Sequence, residues 1–148
     1  MQIYAVNRRA LFDYDILEKY EAGIELFGFE VKAVKAGRMN LAGAYVVIKN
    51  NEAWLLNVAI APYQVKNTPA GYDEMRSRRL LLNKAEIKEL IGKSAQKGLT
   101  LVPLRVYDKK SRIKLEFAVA RHKKERDKRE LIKEREAGRE IKRAMNIE

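Results

Sequence analysis

Apolar residues along this chain change period several times, and each change marks an expected element. Ile16, Leu17 and Tyr20 lie at helical spacing behind Asp13, whose carboxylate can accept from the orphan amides of a helix start. Gly23 can close such a helix with a positive φ, so the spacing predicts a helix over about Asp13–Tyr20. From Ile24 to Val34 the period falls to two, which predicts a long strand. Its apolar parity slips near Gly28, as at a bulge or bend. Gly37 starts a turn. Tyr45–Ile48 and Ala53–Val58 follow as strands, joined by Lys49-Asn50-Asn51-Glu52, a hairpin-turn composition.

Pro62 breaks the chain, and Gln64–Arg79 shows little periodicity, so a long loop is predicted there; loops of that length in small domains are often functional. Asn83 and Glu86 have capping-box spacing ahead of an apolar stripe of Ile87, Leu90, Ile91 and Ala95. This predicts a second helix, ended by Gly98 with Gly92 inside it. Leu99–Tyr107 and Arg112–Ala120 are the last two strands, with the turn at Asp108–Ser111. In the second of them Ile113, Leu115, Phe117 and Val119 point inward, while Lys114 and Glu116 point outward. Pro103 puts the penultimate strand at an edge or gives it a bulge.

The order is helix, three strands, helix, two strands. A sixth strand comes from Gln2–Val6 or from splitting the bent segment. The predicted fold is mainly β with flanking helices: an OB-fold-like antiparallel barrel over 1–120, followed by a charged tail over 121–148. The tail carries 11 Lys or Arg and 7 Asp or Glu, no aromatic residue and few apolar ones. Glu125 with Arg129 and Glu140 with Arg143 can pair at helical spacing, whereas Gly138 weakens the middle. Such a segment is a marginal helix, expected to be disordered alone and helical when a polyanion neutralises it.

Charge narrows the function. The chain has 31 Lys and Arg against 20 Asp and Glu, a formal net charge of +11. A field of that sign attracts nucleic acid, anionic membrane or acidic protein. No apolar run approaches a membrane span, and the N-terminus lacks a signal-peptide run, so no membrane partner beyond surface adsorption is expected. With no cysteine there is neither a disulfide nor a thiolate metal site, which fits a cytoplasmic protein. His122 is the only histidine, and no phosphate-binding glycine loop, dinucleotide motif or zinc spacing occurs. Neither a catalytic constellation nor a cofactor or metal site is expected.

Basic clusters recur between the apolar strands: Arg8-Arg9, Lys32/Lys35/Arg38, Arg76/Arg78/Arg79 and Lys109/Lys110/Arg112/Lys114. On one small barrel they can form a phosphate-binding face. Tyr63 and Tyr72, in or beside the long loop, are the better placed tyrosines for stacking on unpaired bases.

Several stretches carry a more specific likeness. They include Asn7-Arg8-Arg9-Ala10, Tyr20-Glu21-Ala22-Gly23-Ile24 running to Gly28-Phe29-Glu30-Val31-Lys32, Asn40-Leu41, and Ile60-Ala61-Pro62-Tyr63. Further on come Arg76-Ser77-Arg78-Arg79-Leu80-Leu81-Leu82, Gly98-Leu99-Thr100-Leu101-Val102-Pro103, and Asp127-Lys128-Arg129-Glu130 with Ile132-Lys133-Glu134-Arg135-Glu136. Seven blocks in order, from about Asn7 to Arg143, resemble the SsrA-binding protein (small protein B) family, partners of transfer-messenger RNA.

The resemblance implies an OB-type barrel that binds the tRNA-like domain of transfer-messenger RNA as a monomer in a 1:1 complex. It also implies delivery of that RNA to stalled ribosomes, with the tail entering the empty message channel at the decoding centre as a helix. By resemblance, Asn7, Glu21, Leu81 and Lys114 match positions linked to RNA binding, and Asp127, Lys128 and Arg129 match the tail motif linked to the later ribosomal step. Arg8, Arg9, Lys32, Arg76, Arg78 and Arg79 complete the expected RNA-binding set. His122, Lys123, Lys124, Lys133 and Arg135 complete the expected ribosome-contacting tail. The family's junction commonly reads Lys-Gly-Lys-Lys; here Arg121-His122-Lys123-Lys124 lacks the glycine, which stiffens the hinge. The competing readings are another OB-fold ribosomal or single-stranded nucleic-acid-binding protein and, against the missing constellation, an RNA-modifying enzyme.

Overall fold

The computed structural model describes residues 1–124, 129 and 132–139. Among the described residues up to His122, nine strands and three α-helices are defined: β1 (Ile3–Val6), α1 (Arg8–Asp13), β2 (Tyr14–Ile24), α2 (Gly28–Lys35), β3 (Met39–Asn40), β4 (Tyr45–Lys49), β5 (Glu52–Leu56), β6 (Ala59–Ile60), β7 (Arg78–Leu81), α3 (Lys84–Ser94), β8 (Leu99–Lys109) and β9 (Arg112–His122). The main sheet runs β1-β8-β4-β5-β7-β2-β9, all antiparallel, and β9 pairs back with β8. That pairing closes six strands into a barrel and leaves β1 on the outer edge of β8, while β3 and β6 form a separate pair. Closure leaves few unpaired strand edges.

The barrel interior is one apolar cluster containing Val34, Leu55, Ile60, Leu80, Leu115 and Phe117, each at most 2% exposed. A smaller cluster of Ala10, Val102, Leu104, Ala118 and Ala120 seats α1 against the outer face of β8 and β9. The alternation predicted for β9 holds at Leu115, Phe117 and Val119. Its other face is also covered at Ala118 and Ala120, where only a methyl fits beneath α1.

Two predicted elements change type. The segment expected to be a helix over Asp13–Tyr20 is the first part of β2, and the helix is α1, immediately before it. Tyr14, Ile16 and Tyr20 alternate with more exposed neighbours, Ala22, Gly23 and Ile24 are all buried, and the segment pairs with β9 from Tyr14↔His122 to Gly23↔Lys114. Leu17 is the extra residue of a bulge between Ile16 and Glu18, and this insertion counterfeits the helical stripe. Gly23 accordingly sits inside a strand.

The expected strand Ile24–Val34 is mostly α2. Its slip of parity near Gly28 is the change from strand to helix, not a bulge. Glu30, Ala33 and Val34 bury one helical face, and the Glu30 carboxylate accepts the Phe27 amide at 2.9 Å at the start of the helix.

Elsewhere the turn chemistry reads true. Asn50 and Asn51 both have φ near +60°, as a two-residue hairpin between right-twisted strands requires. Lys110 and Ser111 adopt the same geometry between β8 and β9 without the usual asparagine or glycine. Pro103 falls at a register shift, so its strand carries a bulge, not an edge. At α3 the Asn83 side chain accepts the Glu86 amide at 2.8 Å, and the Glu86 carboxylate accepts the Asn83 amide at 3.3 Å. The helix ends at Ser94, before Gly98, whose φ of +85° opens the turn into β8. Asn83→Ala is expected to lower the unfolding free energy by about 1 kcal/mol. Urea denaturation reads this as an earlier midpoint with an unchanged slope.

In the tail, residues 132–139 are helical and exposed. The rest of the tail expectation, including Asp127 and Lys128, lies outside the described residues.

Candidate nucleic-acid interface

Three of the sequence-predicted residues, far apart in the chain, meet on one strip of the barrel's outer surface. β2 is flanked by β7 and β9, with Gly23 paired to Leu81 on one side and to Lys114 on the other. Glu21, two residues earlier, shares the outer face of Gly23. Leu81 lies over Gly23, where even a Cβ would stand at ordinary contact distance, 3.5 Å, and its side chain remains 52% exposed.

Arg112 and Lys114 form the wall between two shallow clefts. One holds Glu21, Lys109 and Lys110; the other is floored by Gly23, Ile24, Leu26, Val31, Leu81 and Ile113. With Lys35 of α2 lining the second cleft, the strip therefore offers five cations, one carboxylate and an aliphatic floor. Phosphate, a hydrogen-bond donor and the apolar side of a ribose or base are what these groups can hold.

Glu21 is fixed from beneath. The buried Tyr107 hydroxyl donates to its Oε2, and Lys109 Nζ donates to its Oε1 at 3.3 Å. The Tyr107 hydrogen bond, followed by Lys109 and the charge of Lys114, holds the Glu21 carboxyl below the usual range despite some opposing desolvation. It is therefore ionised at neutral pH and can only accept hydrogen bonds. Burial, then the bond to Glu21, pushes the Tyr107 phenol well above its ordinary value. Beside it Arg105 pairs with Glu116 at 3.2 Å and lies 5.0 Å from the Tyr107 ring centroid.

The other predicted residues are placed differently. Asn7 precedes α1 and is half-buried; its amide donates to Leu104 O at 2.7 Å and its Nδ2 to Pro103 O at 2.9 Å, so it ties α1 to the bulge of β8. Arg8 and Arg9 are exposed on α1, with Arg9 3.6 Å from Asp13. Lys32 is exposed on α2, and Arg79 is exposed on β7 with Glu52 at 3.8 Å.

Arg78 corrects the expectation. It is 0% exposed and cannot touch RNA: its Nη2 and Nε donate to Glu30 at 2.6 and 3.1 Å, and its Nη1 donates to Val58 O at 2.6 Å. β7 points Arg78 and Leu80 inward and Arg79 and Leu81 outward, so adjacent arginines face opposite environments. Arg76 is also largely committed. Its guanidinium donates to Glu30 and lies 4.0 Å from the Phe27 ring centroid. Tyr72, predicted as a stacking residue, donates to Glu30 at 2.8 Å and to Ile60 O at 3.1 Å. Burial and then Glu30 push its phenol up to about 12.

Glu30, the hub of this network, was missed in the sequence. Its one signal there is the helix-start spacing behind Phe27. The network holds the loop between β6 and β7 against α2. The bond of Tyr107 to Glu21 likewise has no signal in the sequence, because the two residues lie 86 positions apart.

The tail begins at the other end of β9. The His122 ring meets the Tyr14 ring edge-on at 5.1 Å. Lys123 donates its amide to Asp13 O at 2.8 Å and its Nζ to Leu11 O at 3.0 Å, so the junction is anchored to the end of α1. Lys124 is exposed; Arg129, Lys133 and Arg135 are helical and exposed, and the Arg135 guanidinium lies 5.7 Å from the Phe12 ring. Among the described residues there is no cluster of three or more side chains able to hold a metal, and no helix long and apolar enough to cross a membrane.

A closed, basic antiparallel barrel with a cationic, partly apolar outer strip belongs to the class of OB-like polyanion-binding proteins. The comparisons give the class its family. A model of the SmpB protein family matches residues 4–147. An SsrA-binding protein of Thermosynechococcus vestitus is 48% identical over 145 residues, 98% of this chain and 95% of that protein. One of Trichodesmium erythraeum is 52% identical over 144 residues, 97% and 92% of the two chains. A chain in a solved structure, described as "tmRNA-SmpB: a journey to the center of the bacterial ribosome", is 47% identical with a TM-score of 0.66, covering 81% of this chain and 84% of that one. This chain belongs to the SmpB family.

Proposed function

We propose that this protein binds the tRNA-like domain of transfer-messenger RNA and delivers it to stalled ribosomes for trans-translation, the rescue reaction that tags incomplete proteins for degradation. The family match over residues 4–147 carries this reading. The SsrA-binding relatives and the solved tmRNA-SmpB structure on the ribosome support it. The protein acts as a binding protein without a reaction of its own, in the cytoplasm, as one copy per RNA.

The work is divided along β9. The barrel, residues 1–120, takes the RNA at Glu21, Leu81 and Lys114, with Arg79 two residues from Leu81 on the same face of β7. The tail, residues 121–148, takes the ribosome. Lys114 and His122 are eight residues apart on one strand, roughly 26 Å at strand spacing. A paired strand does not bend easily, so β9 sets a fixed distance between the two partners. Lys114 supplies charge to a phosphate. Glu21 accepts from a base amine or a 2′-hydroxyl, and Leu81 gives an apolar surface. Asn7 supports the site by holding α1 to β8. Arg78 and Arg76 support it by holding the loop that leads into β7.

Lys114→Ala is expected to weaken binding of the tRNA-like domain and to make the dependence of log K on log salt shallower by about 0.7–0.9, one phosphate contact. A titration series in NaCl measures this, and identical slopes would remove the phosphate role. Competition with unstructured RNA tests the specificity. Displacement at equal concentration would reduce the protein to a general single-strand binder.

A further inference from the structure

The RNA-facing strip does not stop at Leu81. The cleft that holds Leu81 and Lys114 adjoins a third, which shares Leu81 and continues over Arg79, Leu82 and Ile87. A fourth shares Arg79, Leu82 and Ile87 and ends on α3 at Lys84, Lys88 and Ile91. The clefts form one band from the β8–β9 hairpin, across β9, β2 and β7, to α3. Crossing those three strands takes about 10 Å, and Lys84 to Lys88 adds about 6 Å along the helix.

The band is consistently basic. Lys84, Lys88 and Ile91 stand at i, i+4 and i+7, all exposed, and so share one helix face. The acids of α3 are engaged elsewhere, Glu86 in the capping box and Glu89 with Tyr20 and Lys93. Among the described residues, Glu21 and Glu52 are the only carboxylates on the walls of the four clefts, and each faces a cation, Lys109 and Arg79 respectively. The floor near α3 is aliphatic, with no aromatic ring for an unpaired base to stack on. Such a surface suits the sugar–phosphate backbone of a duplex, recognised by shape and charge. Continuity with the Lys114 clefts favours RNA over an acidic peptide as the occupant.

We propose that Lys84 and Lys88 on α3 form a second phosphate-contacting site for the same RNA that sits at Lys114. This rests on the reading of the Lys114 strip as an RNA site. Two contacts predict a salt dependence shallower by about 1.4–1.8 in the Lys84→Ala/Lys88→Ala variant of the full chain, with weaker binding at every salt concentration. Both lysines are exposed and neither is ion-paired among the described residues, so the thermal midpoint should not move.

The experiment measures Kd of the tRNA-like domain from 50 to 300 mM NaCl, roughly the span over which counterion release is resolved, for wild type, the double variant and Lys114→Ala. A wild-type slope in the double variant, with a reduced slope for Lys114→Ala, overturns the extension and leaves the Lys114 site intact. Wild-type slopes in both variants overturn both. Normal RNA binding by the double variant together with failed ribosome rescue assigns the groove to another partner and also overturns the proposal.

Discussion

Replacing Glu30 by Ala is expected to lower the unfolding free energy by about 3–5 kcal/mol, the cost of removing one partner from a buried ion pair. For a body of this size that is a fall in thermal midpoint of about 10 °C or more. The carboxylate is 0% exposed and receives Arg78, Arg76, Tyr72 and the Phe27 amide. Without it the buried Arg78 guanidinium keeps only Val58 O and the Tyr72 hydroxyl as partners. Glu30→Met with Arg78→Met should cost less than the sum of the single changes, because the pair leaves together. Chemical denaturation of the four variants measures the cycle, and additive losses would show that the two groups are not coupled.

The same carboxylate predicts an acid limb. Burial raises the Glu30 pKa, but donors from Arg76, Phe27, Arg78 and Tyr72 outweigh it and the net shift is downward. A lowered folded-state pKa gives stability that is present above the unfolded value of 4.5 and is lost as pH falls through the folded one. Wild type should therefore lose stability below about pH 4.5 more steeply than the Glu30→Met/Arg78→Met variant.

Truncation after Lys124 is expected to leave affinity for the tRNA-like domain within a few-fold of wild type and to abolish rescue of stalled ribosomes. The barrel keeps Glu21, Leu81 and Lys114, and the junction keeps its anchor on α1 through Lys123. The removed segment carries 8 Lys and Arg with 7 acids, so most of the attraction for polyanion stays in the body, which has 20 basic against 13 acidic residues through Ala120. Filter binding and a tagging assay on ribosomes stalled on a message without a stop codon measure the two halves separately. Loss of RNA affinity on truncation would mean that the tail is part of the RNA site and that the division at the end of β9 is wrong.

Local order was legible where a short-range signal had one meaning. The capping box at Asn83 and Glu86, the paired asparagines of the β4–β5 turn, the alternation in β9 and the break at Pro103 all act within a few residues, and each is where it was expected. Asp13–Tyr20 and Ile24–Val34 misled because an inserted Leu17 and a strand-to-helix change at Gly28 both disturb a period of two. A shifted period does not say which way it shifted. The partner strand decides, and for β2 that partner lies about 100 residues away in β9.

By itself the sequence determined the class of fold, the basic character and, through its resemblance, the family. Those properties depend on composition, local pattern and ordered blocks of residues. Only the tertiary structure decided which cations face outward. Arg78 and Arg79 are chemically alike and adjacent, yet the pleat of β7 sends one into a carboxylate-lined interior and the other to the surface. Only the pairing of β2 with both β7 and β9 brings Glu21, Leu81 and Lys114 onto neighbouring strands. Contact between residues some 60 or more positions apart is a property of strand register, and register is fixed by packing the whole core at once.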